Sequence, residues 1–192
     1  MSERRGGTKQ RMLVSAVTLL RERGSRGVTI DAVLAHSGAP RGSVYHHFPG
    51  GREQLVDEAA RFATDFISGM ITDLAAEPTT ALDRFIDLWA QMLVDTDYRA
   101  GCPVVGVAIA AESDSDLASD AFATWSGQLA EHYRADGLTE SAATTLATST
   151  IAAVEGAIIL SRAERSTKPL DDVRRMLHAY HGALASGAES SS

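Results

Sequence analysis

A single cysteine, Cys102, stands among 192 residues, which excludes an intramolecular disulfide and a cysteine-based zinc site. Aromatic residues make up only 6% and prolines number five. The longest uninterrupted apolar run, Pro103 to Ala111, falls far short of the roughly 20 residues a membrane-spanning helix needs. The N-terminus is polar and basic and lacks the apolar core of a signal peptide, so a cytoplasmic location and no membrane partner are expected. Catalytic signatures are missing too: there is no G-x-S-x-G, no G-x-G-x-x-G, no P-loop and no H-E-x-x-H. Asp114, Asp116 and Asp120 imitate part of a calcium loop, but its glycine and terminal glutamate are absent. The expectation is a non-enzyme with no cofactor and no metal site. Period-2 alternation and internal repeats are also lacking, which argues against a β or solenoid class.

What is present is enough apolar material for a core, 44% of the chain, and a charge asymmetry. The net charge is −7, yet residues 1–53 carry nine Lys/Arg against four Asp/Glu, while residues 54–192 carry nine against 21. A basic head on an acidic body suits a protein that presents one end to phosphate. A solvated basic face without a partner would look the same.

Helical periodicity runs throughout. Leu13, Ala16, Val17 and Leu20 recur at i, i+3, i+4 and i+7 within Thr8–Arg23, and Gly24 ends that helix. Thr29 stands where an N-cap belongs, ahead of Ile30, Val33 and Leu34. Gly38 closes this short second helix and Pro40 opens a third that reaches about Phe48. Pro49-Gly50-Gly51 precedes a long fourth helix from Arg52, with Leu55, Ala59, Phe62, Phe66 and Met70 as its expected buried stripe. Thr80-x-x-Asp83 resembles a capping box before Leu82, Phe85, Ile86, Trp89, Met92 and Leu93. Cys102–Ala111 is apolar nearly all round and is expected to be buried. Leu117 to Tyr133, a helix capped by Thr139 or Ser141, and Pro169 to Leu184 complete nine helices, with Gly187–Ser192 as a frayed tail. The expected class is all-α: a three-helix N-terminal domain with a helix-turn-helix, then a six-helix C-terminal domain.

Thr29 to Arg52 carries the functional signal. A helix entering the major groove needs short residues near its N-terminus, where backbone approaches base edges; Gly42 and Ser43 supply them. Arg41 is the one long cationic fork on this helix and suits a guanine edge or a phosphate. Tyr45 and His46 can donate to phosphates beside the groove. Thr29 offers a hydroxyl and unpaired N–H groups at a helix N-terminus, and Arg52 a further cation. An arm with Arg4, Arg5 and Lys9 can reach an adjacent groove or remain solvated. Val44 and Phe48 belong to the core. Tyr45 also fits half-buried packing, and the His46-His47 pair lacks a third ligand for a metal.

Arg41-Gly42-Ser43-Val44-Tyr45-His46-His47-Phe48 resembles the recognition helix of the TetR family, whose form is R-G-T/S-x-Y-x-H-F. Ala39-Pro40 before Arg41, Pro49-Gly50-Gly51-Arg52 after Phe48, and Gly101-Cys102-Pro103-Val104-Val105 further on are similar to the LmrA/YxaF-like branch. The resemblance implies a transcriptional regulator, most often a repressor. It would bind a palindromic double-stranded DNA operator as a homodimer and be released by a small, often aromatic, effector. Dimerisation follows because two recognition helices must stand about 34–36 Å apart. Ala142–Ser161 and Leu170–Leu184 are the candidate dimer helices. Phe66, Met70, Trp89, Met92, Phe122 and Trp125 have the chemistry of a ligand cavity, and each also suits plain core. Cys102 reads as a small buried apolar residue. The expected division is 1–53 for DNA binding and 54–192 for effector binding and dimerisation. The alternative from another class is a helical small-molecule-binding protein or enzyme with no specific DNA binding.

Overall fold

A computed structural model describes the backbone of residues 2–75, 81–110 and 116–189, and the side chains of 7–72, 82–110 and 116–186. The proposed caps at Thr80, the side chains of Arg4 and Arg5, and Asp114 lie outside the described residues. Among the described residues there are nine α-helices and no strand, which is the all-α class expected. They cluster into two compact units: Met1–Phe66 with Gly101–Ser119, and Ile67–Ala100 with Asp120–Ser192.

In the first unit α1 (Ser2–Arg23) is longer than its apolar stripe, at 22 residues. Gly24 follows it in a left-handed conformation. Thr29 caps α2 (Ile30–Ser37): its hydroxyl accepts from the Ala32 N–H at 3.1 Å, a contribution of about 1 kcal/mol for such caps. Gly38, at φ 64°, ends α2 in the left-handed region that a side chain would strain. The third element is shorter and tighter than expected. Arg41–Ser43 form a 3₁₀ turn and only Val44–His47 form α3. Pro40 lacks an N–H and Gly42 is a poor helix former, while Ser43 bonds back to the Pro40 carbonyl through both its N–H (2.9 Å) and its hydroxyl (2.6 Å). That i→i+3 closure holds the tighter turn.

α4 (Gly51–Ala75) leaves this head. Its buried residues in the head are Leu55, Val56, Ala59, Ala60 and Ala63, whereas Phe62 is 38% and Phe66 57% exposed. The expected stripe is therefore corrected beyond Ala59. The helix follows the i+4 row of small residues, about 100° round from the row of large aromatics. The core joins Met12, Leu20, Val28, Val33, Val44, Phe48 and Leu55 to Val107 of α6 (Pro103–Ala108). Each such side chain contributes roughly 1.5–3 kcal/mol by leaving water. α6 takes only six residues of the apolar segment Cys102–Ala111, and Ile109 just beyond it is 79% exposed. Its Gly106 lies so close to α1 that a Cβ there would meet the Leu20 carbonyl oxygen at 3.1 Å. Arg21 and Gly101 seal the same contact reciprocally, backbone N–H of Gly101 to Arg21 O at 2.8 Å and Arg21 Nε to Gly101 O at 3.2 Å.

The second unit holds the C-terminal part of α4, α5 (Ala81–Asp95), most of α7 (Leu117–Ala135), α8 (Glu140–Glu164) and α9 (Lys168–Glu189). α9 continues to Glu189, into the segment expected to fray. Thr139, not Ser141, caps α8, accepting from Ala142 N–H at 3.3 Å. α8 has the length and composition of a membrane span, which a search for unbroken apolar runs misses because Thr and Ser punctuate it. Here it packs along α9 and α5, and its fully buried Thr150 shares a 2.9 Å hydrogen bond with the Tyr133 hydroxyl. Burial pushes the Tyr133 phenol up, against the bond from Thr150.

Candidate nucleic-acid interface and effector core

In the head, the capped α2 and the tight turn into α3 leave one face free. Arg41 projects from it, its guanidinium 3.1 Å from Asp31 Oδ1, with side-chain exposures of 79% and 73%. A pair this exposed is worth at most about 1 kcal/mol, so Arg41 is readily transferred to another anion. Gly42 beside it has open space where a Cβ would stand. Tyr45 is 64% exposed, which removes the packing alternative, and His46 is exposed as well. Beneath them Val44 and Phe48 are completely buried. His46 and His47 meet edge to face, and no cluster of metal-ligating side chains occurs among the described residues.

Three residues are placed otherwise than their sequence suggests. Ser43 turns its hydroxyl proton to the Pro40 carbonyl, so it shapes the turn. Arg52 faces inward: its Nε donates to Val28 O at 2.9 Å and its Nη2 to Ser25 O at 2.7 Å. It closes the link between α1 and α2, where a phosphate ligand was expected. Lys9 binds Glu58 at 2.7 Å and lies 5.4 Å from the Phe48 ring centroid, joining α1 to α4. The signal for Arg52 was available only in part, because nothing in sequence spacing reports which carbonyls a guanidinium reaches 24 residues away.

In the second unit a small apolar pocket of about 10 Å³, roughly the space of one water molecule, is lined by Ile67, Ile71, Phe85, Trp89, Trp125, Leu129, Ile151, Val154 and Glu155. Trp89 and Trp125, each 2% exposed, are the two expected ligand residues that it brings together. Phe122 packs edge to face on Trp125 with centroids 5.5 Å apart and supports the wall without lining it. Met70 and Met92 are half-buried away from the pocket, and Phe66 belongs to the other compact unit. Ile67 and Ile71 take the places expected of Phe66 and Met70, because α4 presents its i+4 aliphatic row here. Phe85, one turn before Trp89 and 6.3 Å from it between centroids, was visible in sequence as part of the α5 stripe. The Trp125 indole N–H donates to Ser68 Oγ at 3.1 Å; that of Trp89 has no acceptor and no solvent.

Residues 12–59 match the family described as bacterial regulatory proteins, tetR family. Residues 78–176 match the C-terminal domain of LmrA/YxaF-like transcriptional regulators. An uncharacterised HTH-type transcriptional regulator of Mycobacterium tuberculosis is 43% identical over 180 residues, covering 89% of this chain and 92% of its own. The HTH-type transcriptional regulator LmrA of Bacillus subtilis is 29% identical over 172 residues, covering 86% and 92%. Among solved structures, the regulatory protein TetR from Rhodobacter sphaeroides superposes with a TM-score of 0.81 at 19% identity, covering 90% of this chain and 98% of the other. A TetR transcriptional regulator from Legionella pneumophila gives 0.81 at 20%, covering 90% and 96%. At these identities the structural likeness speaks to the fold.

Proposed function

The chain belongs to the TetR family of bacterial regulatory proteins, and on that premise we propose how its parts divide the work of a ligand-responsive DNA-binding regulator. Residues 1–53 carry the DNA-binding function of the head and residues 54–192 the effector-binding and dimerising functions. The protein acts in the cytoplasm as a homodimeric repressor on a palindromic operator and performs no catalysis. The observation that carries this reading is the exposed face of Arg41, Gly42, Tyr45 and His46 on a rigidly cored turn-and-helix. Gly42 lets backbone approach base edges, Arg41 supplies the cationic fork, and Tyr45, His46 and the Thr29 hydroxyl hold phosphates to either side.

The dimer rests on the outer faces of α8 and α9. Ala152, Ile159, Leu160 and Ala163 on one, and Met176, Ala179, Tyr180 and Ala183 on the other, are exposed at helical spacing. Other small residues of the expected dimer segment Ala142–Ser161, namely Ala143, Ala147 and Ala157, are buried within the chain. Two features support transmission from effector to head. α4 is one continuous helix from the reading head into the sensor unit, and Gly101–Ser119, which interrupts the sensor sequence, clusters with the head. Effector and operator then lower each other's affinity by the same factor.

A mobility-shift titration at two salt concentrations tests the reading, using duplexes from DNA flanking the protein's own gene. One duplex should persist over competitor DNA while its affinity falls steeply with salt. Equal affinity for every duplex would leave the alternative of a binding protein without DNA specificity.

A further inference from the structure

Asp31 brings a negative charge onto the face from which Arg41 projects. It lies in the first turn of α2, just beyond the capping Thr29, and its side chain is 73% exposed. The first turn of a helix tolerates a carboxylate, because unpaired backbone N–H groups point at it. That tolerance does not account for its partner. Asp31 Oδ1 stands 3.1 Å from Arg41 Nη1, across the turn that joins α2 to α3. The contact is made at one end of the guanidinium, so the other N–H groups of the fork stay available to a second partner. The frame under the pair is firm. The Thr29 hydroxyl fixes the start of α2, and the fully buried Val33 and Val44 anchor the two helices. Two opposite charges are thus held side by side on a rigid support, with solvent reaching both.

Resting on the DNA-binding reading of that face, we propose that Asp31 is a specificity-determining residue that directs Arg41 to a G·C base pair in preference to phosphate. A phosphate approaching Arg41 also meets the carboxylate, and repulsion between the two anions weakens that contact. A base edge bears no net charge and escapes this repulsion. In the major groove guanine offers two acceptors, O6 and N7, and its cytosine offers the N4 amino donor. Arg41 beside Asp31 presents the complement, a fork of donors next to an acceptor. An A·T pair reverses the pattern, setting the N6 donor of adenine against the fork and the O4 acceptor of thymine against the carboxylate. Holding the fork before contact also reduces the side-chain freedom that Arg41 gives up on binding. An ion pair this exposed is weak, so Asp31 shares the guanidinium with a base and does not withhold it.

The test uses the full-length chain and a library of duplexes randomised over about 30 base pairs, enough for two half-sites. Duplexes retained by wild type define its preferred site. Each G·C pair of one half-site is then changed to A·T. Dissociation constants are measured by fluorescence anisotropy for wild type, Arg41→Ala, Asp31→Asn and Glu53→Gln. The pair read by Arg41 is the one whose change costs wild type about tenfold, as for a single mismatched base pair, and costs Arg41→Ala almost nothing. Asparagine keeps the shape of Asp31 and removes its charge. At that pair Asp31→Asn should discriminate by no more than about threefold, and it should bind a duplex of unrelated sequence more tightly than wild type does. Glu53 is an exposed acid at the start of α4; Glu53→Gln removes an equal charge and should keep the wild-type preference. Undiminished discrimination by Asp31→Asn overturns the proposal. So does an equal loss in Glu53→Gln, which makes the effect one of total charge. Wild-type discrimination by Arg41→Ala at every pair overturns it too, while leaving the head a sequence-specific binder through other residues. Failure of wild type to enrich any sequence overturns the DNA-binding reading itself.

Discussion

Replacing Arg52 with methionine keeps the length of the side chain and deletes its guanidinium. Two bonds disappear, to Val28 O at 2.9 Å and Ser25 O at 2.7 Å, and the carbonyl of the fully buried Val28 loses a charged donor. Charge-assisted bonds are worth about 1.5–3 kcal/mol when buried, and roughly half that is reasonable at a half-exposed site; the two together contribute about 1.5–3 kcal/mol. For a chain of this size each kcal/mol moves Tm by about 2–4 °C, so the melt followed by circular dichroism should drop by roughly 3–12 °C. The same variant, kept folded at low temperature, should show the wild-type salt dependence on its operator. Each lost phosphate contact would lower the log–log slope by about 0.9, or nearly 2 for a dimer. A wild-type Tm with a slope reduced by about 2 would refute the structural assignment and restore Arg52 as a phosphate ligand.

Arg41→Ala has the opposite profile. Its ion pair with Asp31 is largely exposed, so Tm should shift by less than the ~1 kcal/mol ceiling for such pairs implies. Operator binding should weaken, with either a lower salt slope or relaxed base preference at one position; unaltered titrations would remove Arg41 from the interface. Gly106→Ala forces a methyl to 3.1 Å from the Leu20 carbonyl oxygen, a backbone atom. Overpacking of this kind costs about 1–3 kcal/mol, and faster amide exchange in α6 with a lower Tm is expected; wild-type values would show that the α1–α6 contact is loose. Glu58 gives a pH dependence. Burial pushes its carboxyl up, but bonds from Lys9 and Gln54 outweigh that and hold it below the usual carboxylate range. A depressed pKa means stability that is fully present above the unfolded value and lost as pH falls through the folded one. Glu58→Gln should flatten the acid limb of the urea midpoint; an acid limb identical to wild type would contradict the assignment.

Local signals in the chain were decisive wherever the physics is local. The Thr29 cap, the left-handed Gly38 and the Pro40 turn each involve atoms within four residues, so spacing alone locates the helix-turn-helix. Charge clustering and the Arg41–Phe48 pattern are likewise properties of a contiguous stretch, and they point to DNA before any packing is known. The sensor unit was less legible. Its pocket draws on α4, α5, α7 and α8, and residue type favoured Phe66 and Met70 over Ile67 and Ile71. Both rows are apolar, and only the packing partner decides which one turns inward.

The sequence by itself therefore determined an all-helical chain with a basic reading head, because caps, breakers and 3.6-residue periodicity act between near neighbours. The tertiary structure decided which charges remain available. Arg52 and Lys9 are drawn into bonds with Val28, Ser25 and Glu58, while Arg41 stays on the surface. It also decided that one tryptophan N–H is satisfied and the other is not. Those outcomes depend on which groups distant segments bring within about 3 Å of one another, a quantity that no single stretch of the chain contains.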